Sequence, residues 1–218
     1  MEKKTKKPWP TKAVMNQIYE QHLWGGTEFD FYSGFGSHNT KITQPYLNAL
    51  IKFLKSFPEP LVVCDLGCGD FNIGKQLTPY TKNYIAVDIV ESLIDKNKTS
   101  FKACNLEFRC LDISKDKLPS GDCALLRNVL QHLSNSEIQQ IVNKLANYKY
   151  LILTEHIPEG DFMPNKDIIS GQGIRIKKNS GVAILQAPFN LKIKEKKTLD
   201  EYVLKNNKGR IVTSLYKL

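Results

Sequence analysis

Residues 61–74 read Leu61-Val-Val-Cys-Asp-Leu-Gly-Cys-Gly-Asp-Phe-Asn-Ile-Gly74, an apolar run that breaks into glycines flanked by two aspartates. The run predicts a buried strand over 60–66, and the glycines predict a turn whose backbone can adopt positive φ and approach another group closely. Outward from this point, Val/Ile/Leu-rich runs alternate with segments of helical spacing. Strands are expected at 60–66, 83–88, 107–111, 122–127 and 149–155, and helices at 72–78, 90–98 and 135–147. Short apolar strands separated by helices specify a parallel sheet covered on both faces. Upstream, Val14, Ile18 and His22 fall on one helical stripe in 11–23, and Tyr46, Leu47, Leu50, Ile51 and Leu54 on another in 44–57. Downstream, a strand near 190–195 and another at 210–217, after the turn Asn206-Asn-Lys-Gly209, read as antiparallel strands closing the sheet.

The expected fold class is α/β: a Rossmann-like, doubly wound, seven-stranded and mostly parallel sheet with antiparallel C-terminal strands and an N-terminal helical cap. Residues 1–43 supply a basic tail, a helix and a segment of glycines and aromatics. Residues 44–218 form the main domain, and the aperiodic, Gly/Pro-containing stretch 156–188 reads as a lid-like insertion. With 218 residues, 41% of them hydrophobic, the chain can bury one good core. It has no apolar run of membrane-spanning length, and its N-terminus has positive charge without an apolar segment, so no membrane association and a cytoplasmic location are expected. The five cysteines form no C-x-x-C pair and read as buried reduced thiols, with no metal. The net charge of +9 invites a polyanion partner, but the excess is almost all lysine, the only arginines being Arg109, Arg127, Arg175 and Arg210. A solvated lysine surface is the simpler reading, with an anionic small molecule or RNA as alternatives.

The opening loop lies at the carboxyl end of the first parallel strand, where doubly wound sheets bind ligands. Gly69 and Gly74-Lys75 have the spacing of a phosphate-binding loop, but Gln76 stands where the magnesium-binding hydroxyl belongs. The dinucleotide pattern G-x-G-x-x-G fails too, its third glycine falling two positions late. Asp65 and Asp70 beside the turn would repel a pyrophosphate and suit a ligand with ammonium or sulfonium groups. S-adenosylmethionine is such a ligand. Strand two then ends in Asp88, placed to accept from both ribose hydroxyls, and strand three in Asp112, placed to accept from an adenine amino group, with Ile89 and Ile113 as apolar walls.

Asp65-Leu-Gly-Cys-Gly69 followed by an acid at a strand end some twenty residues on resembles the class I S-adenosylmethionine-dependent methyltransferases over roughly 45–155. A narrower resemblance spans nearly the whole chain. Trp24-Gly25, Ser33-Gly-Phe-Gly-Ser37, Cys68-Gly-Asp-Phe-Asn72, Arg127-Asn128, His132-Leu-Ser134, Asp167-Ile168 with Gly171, and Pro188-Phe-Asn190 are similar to a group of small bacterial methyltransferases. Ile73, Asn128 and Gly173-Ile174-Arg175 depart from that group's pattern. The resemblance implies S-adenosylmethionine as cofactor and S-adenosylhomocysteine as product. It also places Arg127-Asn128 near methyl donor and acceptor.

On this reading Asp65, Gly67, Gly69, Asp88, Ile89, Asp112, Ile113 and Trp24 are the cofactor-binding candidates, and His132, Asn128 and Arg127 the catalytic ones. Each has a competing structural role. Asp112 is also placed to cap the turn before Lys115, Arg127 to pair with Asp65 or Asp70, and His132 to pack under a helix start capped by Ser134 with Glu137. As a catalytic group, His132 would be a general base with a pKa near neutrality. Glu155-His156, at the end of strand five, either lies beside the acceptor or has no catalytic duty. Trp24 or Phe35 would give the apolar wall of a lid. The expected function is methyl transfer to a small or carbohydrate-like acceptor, with an anionic group as an open option, attacked at oxygen. The alternatives are an RNA methyltransferase and a non-catalytic binding module on the same fold. Oligomeric state stays open.

Overall fold

The computed structural model describes residues 8–26, 31–205 and 208–218. The basic tail at 1–7, Thr27–Asp30 of the aromatic segment, and Asn206 and Asn207 of the last turn lie outside the described residues. In chain order the elements are α1 (Thr11–Glu20), α2 (Phe35–His38), α3 (Thr40–Leu54), β1 (Val62–Leu66), α4 (Gly74–Leu77), β2 (Asn83–Asp88), α5 (Glu91–Ser100), β3 (Leu106–Cys110), β4 (Cys123–Arg127), α6 (Asn135–Leu145), β5 (Tyr150–Ile157), β6 (Glu195–Val203) and β7 (Arg210–Lys217). The strands form one seven-stranded sheet in the order β3-β2-β1-β4-β5-β7-β6. β1 to β5 are parallel, and β7 runs antiparallel between β5 and β6.

Alternation along the strands divides the core into two layers. Cys64, Leu66, Ile85, Val87, Ala124, Leu126, Leu151 and Leu153 face α1 and α6, meeting Met15, Ile18, Ile138, Ile141 and Leu145. Val63, Tyr84, Ala86, Leu125 and Ile152 face the other way, onto Tyr46, Leu47, Leu50 and Leu54 of α3. Both faces of the central strands are buried, as apolar runs without polar alternation require.

Several boundaries differ from expectation. α3 begins at Thr40 rather than near Gln44, because the Asn39 side chain accepts from the Lys41 amide and caps the helix before Pro45. α1 ends at Glu20, two residues before His22, which takes φ +50°. α4 is a single turn starting at Gly74, since Phe71 adopts φ +62° and the Asp70 carboxylate takes the Asn72 amide, turning the chain before helix can start. The expected strand at 190–195 is the larger correction: the strand is Glu195–Val203. Leu191 and Ile193 pack against the core without joining the ladder, and the charged Glu-Lys-Lys start of β6 forms an exposed sheet edge. Among the described residues no helix is long and apolar enough to cross a membrane.

Candidate active site

The carboxyl ends of β1, β2 and β4 open into one cavity of about 470 Å³, within the size range of small-molecule sites. The turn after β1 forms its floor. Gly67 sits at φ +103° and its amide donates to Val87 O, so the turn is stitched across to β2. A Cβ at Gly67 would lie 2.4 Å from Val129 Cγ2, and one at Gly69 2.4 Å from Ser33 Oγ. The glycines thus admit two protein segments, the loop after β4 and the N-terminal segment, close against the turn.

Asp65 and Asp88 stand at neighbouring strand ends. Asp65 accepts from the Tyr84 hydroxyl at 2.8 Å, and burial raises its carboxyl to about 6, against the lowering effect of that hydrogen bond. Asp88 accepts from the Gly69 amide at 3.0 Å and the Val90 amide at 3.1 Å, and burial raises it too. It therefore positions the glycine turn and lines the cavity at once. Ile89, Leu111 and Ile113 give apolar walls beside it. Asp112 also lines the cavity, but its carboxylate is engaged by the Ser114 amide and hydroxyl and by Lys115 Nζ at 2.8 Å, the turn-capping role.

After β4, Asn128 adopts φ +57°, a conformation asparagine tolerates better than most residues, and its amide donates to Thr154 O. Its side-chain oxygen is buried without a partner. Arg127 donates to Gly36 O at 2.6 Å and Ser37 Oγ at 3.1 Å and lies over the Tyr46 ring. It ties β4 to α2 rather than pairing with Asp65 or Asp70.

Residues 63–148 match a family described as a methyltransferase domain. That stretch of the chain is similar to a methyltransferase domain. The similar solved structures agree in fold. N-methyltransferase NodS from Bradyrhizobium japonicum, in complex with S-adenosylhomocysteine, superposes with a TM-score of 0.67 at 10% identity, over 94% of this chain and 98% of that one. Magnesium protoporphyrin IX methyltransferase from Synechocystis, with S-adenosylmethionine bound, gives 0.59 at 15% identity over 98% and 100%. The N-terminal domain of EvdMO1, in the presence of S-adenosylhomocysteine and D-fucose, gives 0.56 at 15% over 79% and 82%. No curated protein sequence matches the chain. The fold class is borne out, and the resemblance to class I S-adenosylmethionine-dependent methyltransferases, first suggested by Asp65-Leu-Gly-Cys-Gly69 and the strand-end acids, is supported by the family match over 63–148 and by these neighbours.

The rest of the cavity wall comes from segments far away in sequence. Asp70, the second aspartate of the loop, turns away from the cavity to clasp the N-terminal segment. Its carboxylate accepts from the Ser33 amide at 2.9 Å and His38 Nε2 at 2.5 Å, while its own amide donates to Ser33 Oγ. Tyr19 Oη and Ser33 Oγ are 3.0 Å apart, and Trp24 packs edge-on against Tyr19 and 5.2 Å from the His132 ring. Trp24 lines the cavity, whereas Phe35 is exposed and does not.

His132 departs from the expected base of near-neutral pKa, because burial lowers it to about 4. Its ring is held at both nitrogens. Gln131 Oε1 accepts from the His156 amide, which turns Gln131 Nε2 toward His132 Nε2; the Nδ1–H then donates to Gly171 O at 3.1 Å. The expected capping box of Ser134 and Glu137 is present at the start of α6. Glu155 and His156 do not line the cavity. Glu155 is 4% exposed with neither carboxylate oxygen partnered, and burial raises it to about 8. His156 Nε2 donates to Lys208 O.

Two residues carry roles that the sequence patterns did not signal. Arg175, 1% exposed, donates to Lys166 O, Leu130 O, Gln131 O, Leu133 O and Asn135 Oδ1. It fastens the strap after β5 onto the tight helical turn Leu130–His132. Two residues further on, Lys177 lines the cavity. Arg127, Asn128, His132, Asp65, Gly67, Gly69, Asp88, Ile89, Asp112, Ile113 and Trp24 all meet in this one cavity.

Proposed function

We propose that this domain transfers the methyl group of S-adenosylmethionine to an oxygen of a small or carbohydrate-like acceptor bearing an anionic group. The observation that carries the reading is the meeting of the glycine turn, the Asp88 carboxylate and the unpartnered Asn128 oxygen in one cavity. That set of acceptors beside an open turn fits a phosphate-free nucleoside with cationic centres. Asp88 would accept from the ribose hydroxyls, Ile89 and Ile113 would flank the adenine, and Asp65 and Asn128 Oδ1 would face the ammonium end. The similar structures crystallised with S-adenosylmethionine or S-adenosylhomocysteine support this assignment, and one crystallised with D-fucose is consistent with a sugar-like acceptor.

When bound, the sulfonium supplies an electrophilic methyl carbon. The chain's own residues then have to position and exclude water. Trp24 and His132 form one wall, and Gln172, Gly173 and Ile174 of the strap close the side that Arg175 fixes. Holding an acceptor oxygen about 3 Å from the methyl carbon, in line with the breaking bond, supplies much of the acceleration without a strong base. The lysine excess gives RNA little support. Lys149, Lys194 and Lys217 cluster where β5 begins and β7 ends, at the end of the strands opposite the cavity, and among the described residues only Arg127 and Lys177 bring permanent cations to its walls.

Calorimetric titration of S-adenosylmethionine and S-adenosylhomocysteine into wild type and Asp88→Asn tests the proposal. Micromolar binding, weakened about tenfold or more in the variant as a lost charge-assisted hydrogen bond implies, is expected. A folded wild type that binds neither compound refutes it.

A further inference from the structure

Among the described residues that line the cavity, every acid has hydrogen-bond partners and one cation has none. The acids that line the cavity each have their own partners. Asp65 takes the Tyr84 hydroxyl, and Asp88 the Gly69 and Val90 amides. Asp112 takes Ser114 and Lys115. Glu137 takes the Ser134 amide and the hydroxyls of Ser134, Ser170 and Thr11. His132 is bonded at both ring nitrogens. The tyrosines of the cavity, Tyr19, Tyr46 and Tyr84, are all pushed above the ordinary phenol range by burial and remain protonated.

The cations are distributed differently. Arg127 is held by Gly36 O, Ser37 Oγ and the face of Tyr46, with only its buried Nε lacking a partner. On the strap's helical turn Arg175–Lys178, Arg175 is buried against backbone carbonyls, and Lys178 Nζ donates to Asp167 O. Lys177, between them, is exposed and lines the cavity, and no hydrogen bond or ion pair holds it among the described residues. Its neighbours on both sides are anchored, so its ammonium is presented from a fixed turn.

We infer that the acceptor is a carboxylate, recognised by Lys177 and methylated on oxygen to give a methyl ester. The inference rests on the methyl-transfer reading above. A carboxylate is already ionised at neutral pH, so no general base is required, in keeping with a site whose acids are all engaged. A carboxylate oxygen lone pair forms the new bond to the methyl carbon while the carbon–sulfur bond breaks and leaves its electron pair on sulfur. The products are a neutral ester and a neutral thioether, and no proton changes hands.

The test offers wild type, Lys177→Glu and Lys178→Glu a panel of small carboxylic acids with their matching alcohols and amines. Methyl-labelled S-adenosylmethionine reports transfer, and S-adenosylhomocysteine calorimetry runs alongside. Wild type is expected to methylate the acids in preference. Lys177→Glu should lower kcat/KM for them about tenfold or more with S-adenosylhomocysteine affinity unchanged, since one charge-assisted contact is replaced by repulsion. Lys178→Glu, an equal charge change one residue away, should retain the preference. Acids that do no better than their alcohols and amines, whether all react or none does, overturn the inference, as does a preference that survives Lys177→Glu. If S-adenosylhomocysteine binds while the acids fail, only the carboxylate assignment falls; if S-adenosylhomocysteine does not bind, the methyl-transfer reading falls with it.

Discussion

Two irregular segments close the same cavity by opposite means. The turn at 65–74 is held by its own backbone: glycines at positive φ, amides donating to Val87 O, and Asp88 receiving the Gly69 amide. The strap around 163–181 has no regular element beyond the turn Arg175–Lys178 and is held mainly by side chains: Arg175 satisfies carbonyls of a distant helical turn, and Asp167 and Ser170 accept from the Asn135 and Ser134 amides. A segment organised by short-range geometry needs particular residues at fixed spacing. One organised by long-range clasps needs a few suitable residues delivered to the right places, with Arg175 the most heavily bonded of them here.

That contrast is sharpest in Arg175→Met. Removal of a fully buried set of donors strands the carbonyls of Lys166, Leu130, Gln131 and Leu133 and should cost about 3–5 kcal/mol in urea denaturation, like breaking other buried charged networks. The His132 ring should then lose its fixed Nδ1–H tautomer, visible in imidazole nitrogen shifts, because Gly171 is carried on the same strap. A stable variant with an unchanged His132 spectrum would mean that the strap does not depend on the clasp.

Gly67→Ala probes the other segment. Its Cβ would meet Val129 at 2.4 Å in a backbone conformation that disfavours any side chain, so a loss of about 2–3 kcal/mol and weaker S-adenosylhomocysteine binding are expected. An Ala variant with wild-type melting and affinity would show that the turn tolerates ordinary residues.

Glu155→Gln has the smallest effect and shows itself only through pH. Burial raises the Glu155 carboxyl from 4.5 to about 8, so between those values the folded chain holds a proton that the unfolded chain has released. Stability from this group is fully present below pH ~4.5 and is lost as pH rises through about 8. The Gln variant should therefore match wild type near pH 4 and exceed it above pH 8 by on the order of 2 kcal/mol, measured by denaturation at both pH values. Equal stability of the two proteins at pH 8.5 would show that Glu155 has found a partner.

The legibility of the fold follows the same division. β2 falls where its apolar run predicts, because a strand buried on both faces must be largely apolar, and β7 falls at the expected 210–217, following the turn at 206–209. The Ser134/Glu137 box was readable since a cap and its partner lie three residues apart. β6 was misplaced because its pattern is that of an edge strand, charged along its length, and edge pairing depends on what β7 offers rather than on the strand's own apolarity. Asp70 and Asp65 looked equivalent in the sequence, two acids flanking one turn. Strand alternation sends Asp65 to Tyr84, and the turn sends Asp70 outward to Ser33 and His38.

The sequence by itself determined the parallel sheet, the glycine turn and the acids at the ends of β1 and β2. These follow from periodicity and from backbone conformations that few residues tolerate. Tertiary structure alone decided that His132 is a neutral, doubly bonded wall, that Glu155 is sealed away from the cavity, and that Arg175 and Lys177 divide anchoring and exposure on one turn. The reason is physical: burial and hydrogen-bond partners set whether an ionisable group is charged, free or committed, and those partners come from segments tens of residues away.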